Sequence, residues 1–220
     1  MAVVIYVEGG GDNPSLVRKC KQGFGKLLEA KFPNTNRKLR IIPCGSRQNA
    51  YRDFKNALKS SRRRDDCIML LVDSESQIQL HNDINAITNN PGKPWQHLAE
   101  RNGDKWQRPA GATDKQCHLM VQDMEAWLIA DRNMLQNHFG GKFDIKKIPV
   151  TNPSGSHKLE SIPKQQLEEL LNKALIKCEK KYHKGDHSFD LLSKISPDIV
   201  IAASPWAKRF FDELHTHLSI

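Results

Sequence analysis

An α/β fold built on a small, mostly parallel sheet is predicted by three features of the chain. Two runs, Ala2–Val7 and Cys67–Val72, are almost unbroken in their apolar character, as in strands buried on both faces. Each run ends abruptly at a carboxylate, Glu8 in one case and Asp73 in the other. Between them lies a third strand-like stretch with a helical pattern on either side, and βαβαβ order demands parallel strands joined by right-handed crossovers.

The elements follow in order. Glu8-Gly9-Gly10-Gly11 closes the first strand, after which Asp12 or Asn13 caps a helix with Pro14 at its first position. Leu16, Val17, Cys20, Phe24, Leu27 and Leu28 recur there at helical spacing, and the helix stops before Pro33. Gly23 and Gly25 inside it cost stability, which implies a close backbone contact or a kink. Lys38–Pro43 reads as the second strand, and Ser46 caps a helix bearing Ala50, Tyr51, Phe54, Ala57 and Leu58. Arg62, Arg63, Arg64, Asp65 and Asp66 make a surface turn into the third strand.

From Gln77 to Asp114 the pattern is irregular. Ile78, Leu80, Ile84 and Ile87 suggest a short helix, broken by Asn89-Asn90-Pro91-Gly92-Lys93-Pro94. His97–Asp104 and Arg108–Thr113 read as loop with at most one helical turn. Gln116–Val121 is a fourth strand, running into a helix over Gln122–Asp131. After Gly140 the composition shifts towards lysine, serine and proline, with helices near Lys164–Tyr182 and Phe189–Ile195. A last helix starts at Ser204-Pro205 and carries Trp206, Phe210, Phe211 and Leu214. The expected division is an α/β domain over 1–140 and a helical C-terminal extension over 141–220 packed on it.

The chain carries 34 Lys+Arg against 25 Asp+Glu, a net charge of +9, which favours a polyanionic partner such as DNA or RNA. Simple solubility is the competing explanation. The five cysteines are scattered without a CxxC pair, which argues against a disulfide framework or a zinc site. No signal-peptide pattern is present, and no apolar stretch approaches the ~20 residues that span a bilayer. A cytoplasmic protein without a membrane partner is expected. A homodimer stays open.

Function is expected at the carboxyl ends of the strands, where open α/β sheets bind ligands. If the two apolar strands are neighbours, Glu8, Asp73 and Glu75 gather at one edge and repel one another unless a divalent cation or a proton intervenes. Mg²⁺ (or Mn²⁺) suits such a set, because a hard ion prefers carboxylate, water and phosphate oxygens. Gly9 and Gly10 would let backbone approach a phosphate, or they simply turn the chain from strand to helix. The glycine spacing matches neither a dinucleotide fingerprint nor a Walker A loop.

These residues carry a resemblance. Glu8-Gly9-Gly10 after one buried strand and Asp73-Ser74-Glu75 after another resemble the TOPRIM domain of topoisomerases, bacterial primases and OLD-family nucleases. Its signature is a Glu ending the first strand and an acidic-x-acidic pair ending the third. Here the pair is Asp-Ser-Glu, where Asp-x-Asp is commoner. Together with Met120-Val121-Gln122-Asp123-Met124-Glu125-Ala126-Trp127-Leu128, the pattern is similar to small stand-alone bacterial TOPRIM-like proteins. Those resemble the nuclease components of antiphage systems that work beside an ATPase. The TOPRIM resemblance covers roughly the first two-thirds of the chain, and the family-level likeness extends weakly to the end. It implies a Mg²⁺-dependent nuclease cutting DNA or RNA, with an ATPase protein partner. Two alternatives are a non-catalytic TOPRIM-like module that binds nucleic acid or protein through a vestigial acidic cluster, and a phosphotransfer or nucleotide-binding enzyme using the same edge.

Two further groups qualify as site residues. Glu125 lies on an otherwise apolar helix face and needs a partner there, either the metal or a basic residue. It is read as a fourth catalytic acid, with Asp123 as a rival that otherwise serves as a first-turn helix acid. Lys181, Tyr182, His183 and Lys184 form a basic segment around an aromatic, suited to phosphate contact and base stacking. His183 or His187 there offers a general acid, although a solvated helix end explains the segment equally well. His97, His118, His138 and His157 show no metal-ligand spacing and are read as structural.

Overall fold

A computed structural model of the 220-residue chain describes residues 2–60, 66–78, 93–151 and 158–218. The predicted surface turn at 62–65, most of the helix expected over 78–87, the Asn89–Gly92 breaker and His157 lie outside the described residues. Four strands, β1 (Ala2–Val7), β2 (Lys38–Pro43), β3 (Cys67–Asp73) and β4 (Cys117–Met120), form an all-parallel sheet in the order β2-β1-β3-β4. The fold is α/β as predicted, with nine α-helices around the sheet among the described residues.

Strand alternation explains why the two central runs are apolar throughout. Val3, Ile5, Val7, Met69 and Leu71 point into one core, and Val4, Tyr6, Ile68, Leu70 and Val72 into the other. The second core is closed by Phe54 of α2 (Arg47–Lys59) with Trp95, Leu98 and Trp106. Against the first core pack α1 (Pro14–Lys31) and the C-terminal helices, so Val3 and Ile5 share one cluster with Trp127, Phe210, Phe211 and Leu214.

The caps follow the predicted chemistry. Asn13, not Asp12, caps α1 by accepting from the Ser15 N–H at 2.8 Å. Ser46 caps α2 by accepting from the Asn49 N–H at 3.3 Å. The two helical glycines divide: a Cβ on Gly23 would lie 2.6 Å from the Phe189 carbonyl oxygen, whereas one on Gly25 would meet nothing within 4 Å. The helix is therefore close-packed at Gly23.

Several boundaries depart from the sequence reading. A short helix, α3 (Pro94–Glu100), occupies part of the expected loop and buries Trp95 and Leu98, three residues apart. The helix after β4 is only α4 (Glu125–Ala130), and a separate α5 (Arg132–Phe139) begins at once, with Asp131 accepting from the Met134 N–H at 3.0 Å. The helix starting at Lys164, α6 (Lys164–Ala174), stops well short of Tyr182. Just past the last turn, Lys181 Nζ donates to the Leu175 and Ile176 carbonyls at 3.0 and 3.1 Å. Then come α7 (Ser188–Leu192), α8 (Pro197–Ala203) and α9 (Pro205–Leu218). From α9, Arg209 Nη1 donates to the Cys117 carbonyl at 2.7 Å, covering an edge strand of the sheet. No described helix is long and apolar enough to cross a membrane.

Candidate functional site

Strand order puts a topological switch point between β1 and β3. From β1 the chain crosses first to β2 on one side and then to β3 on the other. Open α/β sheets bind ligands beyond the carboxyl ends at such a point, and both acidic loops lie there. The Glu8 N–H donates to the Leu71 carbonyl at 3.0 Å, extending the β1–β3 pairing into the loop. Glu8 Oε2 in turn accepts from the Asp73 N–H at 3.2 Å. The Ser74 and Glu75 N–H groups donate to the Met120 and Gln122 carbonyls at 2.9 and 2.8 Å, tying the second loop to the end of β4.

The three predicted acids converge. Ligand oxygens of Glu8, Asp73 and Glu75 lie within 4.8 Å of one another, the one such group of metal-capable side chains among the described residues. Glu75 has φ 64°, a left-handed conformation that a non-glycine residue adopts only when its surroundings hold it.

Side chains the sequence reading did not single out answer part of the mutual repulsion. Arg47 Nη1 lies 3.0 Å from Glu8 Oε2 and donates to the Asp73 carbonyl at 2.6 Å. Its Nε and Nη2 grip Asp104 at 2.8 and 2.7 Å, and its guanidinium lies 5.0 Å over the Trp106 ring. Arg101 also binds Asp104, at 2.9 Å, and Lys164 Nζ lies 2.6 Å from Glu75 Oε2. His97, expected to be structural, places a ring nitrogen 2.9 Å from the Ser74 carbonyl and braces the same loop. The expectation that only a metal or a proton relieves the acids is corrected accordingly: an arginine and a lysine stand among them. Local pattern offered no signal for Arg47, Arg101, Asp104 or Lys164, because loops and helix starts distant in sequence deliver them.

Repulsion nevertheless remains at Asp73. Burial, then Glu8, Asp123 and Glu125, push its carboxyl well above the usual carboxylate range. Burial raises Glu8 too, against the pull of Arg47 and the Asp73 N–H.

Glu125 finds the basic partner, not the metal group. It is 1% exposed, lies 3.0 Å from Lys184 Nζ, and accepts from Tyr182 and Ser188 hydroxyls at 2.7 and 3.2 Å. Burial opposes its charge, but Lys184 and the Tyr182 hydroxyl outweigh that and hold the carboxyl low. Asp123 does not cap α4; its Oδ2 lies 3.2 Å from the same ammonium.

The expected nucleic-acid residues are employed differently. Tyr182 is 4% exposed with its hydroxyl bonded to Glu125, so its ring is core and not a stacking platform. Lys181 closes the end of α6, and Lys184 is turned onto Asp123 and Glu125. His183 is exposed; its N–H donates to His187 Nδ1 at 3.1 Å. The Gly9 N–H donates to the Gly45 carbonyl at 2.9 Å, and a Cβ there would strike the Phe189 ring at 3.0 Å. Gly10 packs on Val17, where a Cβ would lie 3.0 Å from the Cα atom. Close packing accounts for both glycines.

Six carboxylates (Glu8, Asp73, Glu75, Asp104, Asp123, Glu125) thus face four cations (Arg47, Arg101, Lys164, Lys184), leaving a formal charge of −2 when all are ionised. That surplus equals one divalent cation. The donor set is hard oxygen throughout, and the three ligand oxygens lie within 4.8 Å of one another, close enough for one Mg²⁺ to be shared among them. The residues fit such an ion.

A family model described as "Domain of unknown function (DUF4276)" matches residues 7–215. No curated protein and no solved structure matches the chain.

Proposed function

The chain belongs to the DUF4276 family, whose description assigns no activity, and from its acidic edge we propose that it is a divalent-metal-dependent nuclease. One observation carries the reading: three carboxylates from adjacent parallel strands converge at the switch point, with more negative charge than the surrounding cations neutralise. Glu8, Asp73 and Glu75 would hold Mg²⁺ or Mn²⁺. When bound, the ion supplies Lewis-acid polarisation of a phosphodiester and a water activated for attack.

The chain's own groups do the rest. Arg47 fixes Glu8 by bonding it and the Asp73 carbonyl together. The Met124 N–H donates to Asp73 Oδ1 at 3.0 Å and orients that carboxylate. Excess positive charge over the whole chain draws a polyanion in. Resemblance to antiphage nuclease components supports a role as a defence effector beside an ATPase partner, with DNA or RNA as substrate.

The test is incubation of purified protein with plasmid and with bulk tRNA, in Mg²⁺ or in EDTA. Cleavage is expected in Mg²⁺ alone, and Glu8→Gln or Asp73→Asn should reduce it at least about a hundredfold. Cleavage indifferent to both substitutions would reject the proposal. A second reading, a non-catalytic nucleic-acid-binding module, is favoured by Arg47 and Lys164 standing among the acids and pairing with Glu8 and Glu75. Salt-sensitive retention that survives chelation, with no cleavage, would select it.

A further inference from the structure

Glu75 belongs to two groups at once. Its carboxylate is one of the three metal-capable acids, and it is also ringed by cations. Oε2 lies 2.6 Å from Lys164 Nζ and 3.8 Å from Arg101 Nη2, while Oε1 lies 3.9 Å from Arg47 Nη1. Glu75 is thus held closely by one ammonium, with a single nitrogen of each of two guanidinium forks at the limit of ion-pair range, and such a mix of ammonium and guanidinium is how proteins bind phosphate. Neither fork depends on Glu75 for its position. Asp104, whose side chain is fully buried, holds both arginines, and Trp106 backs one of them. Lys164 opens α6, so the positive end of that helix lies on the same side.

Building on the proposed nuclease reading, we infer that Lys164 and Arg101, with Arg47 fixed behind them by Asp104 and Glu8, form the subsite for a nucleic-acid phosphate, and that Glu75 competes with the phosphate for it. The same carboxylate cannot serve both groups fully. With a divalent ion held by Glu8, Asp73 and Glu75, the Glu75 carboxylate would be committed to the ion, leaving Lys164 and Arg101 to accept the phosphate. Cation and nucleic acid then bind cooperatively, because each removes Glu75 from the other's path.

The test reads binding without metal and without cleavage. A fluorescently labelled single-stranded oligonucleotide is titrated in EDTA with wild type, Glu75→Gln, Glu8→Gln and the double variant Glu75→Gln/Lys164→Ala. Glu75→Gln should tighten binding roughly tenfold, the scale of one charge-assisted contact. The double variant should return to wild-type affinity, and Glu8→Gln, which removes equal charge from the same edge, should change it less. Glu75→Gly relaxes the left-handed backbone while removing the carboxylate, so it folds at least as readily and should tighten binding similarly. Equal gains from Glu75→Gln and Glu8→Gln would reduce the effect to bulk charge and overturn the inference, as would no gain at all. Failure of cleavage in Mg²⁺ with this pattern intact would remove the nuclease reading and leave the phosphate subsite standing.

Discussion

Asp123 holds a buried carboxylate in which one oxygen, Oδ1, meets no donor and the other shares Lys184 with Glu125. Burial, then the Glu125 charge, push its carboxyl up to about 6 from 3.8, with Lys184 pulling the other way. The folded protein thus binds this proton more tightly than the unfolded chain does. That advantage is complete below the unfolded value and is lost as pH rises through the folded one. Asp123→Asn removes the titration while keeping the shape. Wild type should therefore lose about 1–3 kcal/mol relative to this variant between about pH 4 and pH 7, and nothing further above that. Urea unfolding of both proteins in EDTA, stepped through that range, measures the difference directly. A difference that stays flat across the range would mean the carboxyl is ionised throughout, and that the orphaned oxygen has a partner.

Among the elements, α1 makes a prediction that separates packing from propensity. Both Gly23 and Gly25 should cost helix stability, and only Gly23 has a contact that forbids a side chain. Gly25→Ala should stabilise the protein by about 0.5–1 kcal/mol, whereas Gly23→Ala should destabilise it by about 1–3 kcal/mol through the clash with the Phe189 backbone. Thermal melts of the two variants check both signs, and a stabilising Gly23→Ala would show that α7 yields to α1. Sequence alone told that a glycine there was awkward; it did not tell which, because Phe189 arrives from 166 residues further along the chain. The same boundary runs through the site. β1 and β3 were legible because strands buried on both faces are apolar throughout, and their ends located Glu8, Asp73 and Glu75. Arg47 was not, since a basic residue just after a helix cap looks like any exposed one until Asp104 and Trp106 fold over it. Tyr182 failed in reverse: lysines around it suggested solvent, but its ring is drawn inside by the hydroxyl bond to Glu125. α3 went unread because two buried residues in a seven-residue segment give too few turns to show periodicity.

At the scale of the whole molecule, charge is divided unevenly. A chain with net charge +9 keeps at its sheet edge a cluster whose formal balance is −2. The remaining negative charge of such a cluster is costly, because Asp73 must either repel its neighbours or take a proton. A divalent ion bound there as proposed would remove that cost and would favour the folded state, since the three acids are brought together only by folding. At a hundred times its dissociation constant it would add about 2.7 kcal/mol of stability, or roughly 5–10 °C in melting temperature for a domain of this size. Asp73→Asn should behave oppositely in two respects. Without metal it should melt at or above wild type, because an amide in place of the carboxylate relieves the repulsion. With Mg²⁺ or Mn²⁺ it should gain little, because one ligand oxygen is no longer anionic. Melting both proteins in EDTA and across a metal titration tests the two halves together. A wild-type shift matched by Asp73→Asn would put the ion elsewhere, and no shift with either metal would mean that Arg47, Lys164 and a proton already satisfy the acids between them.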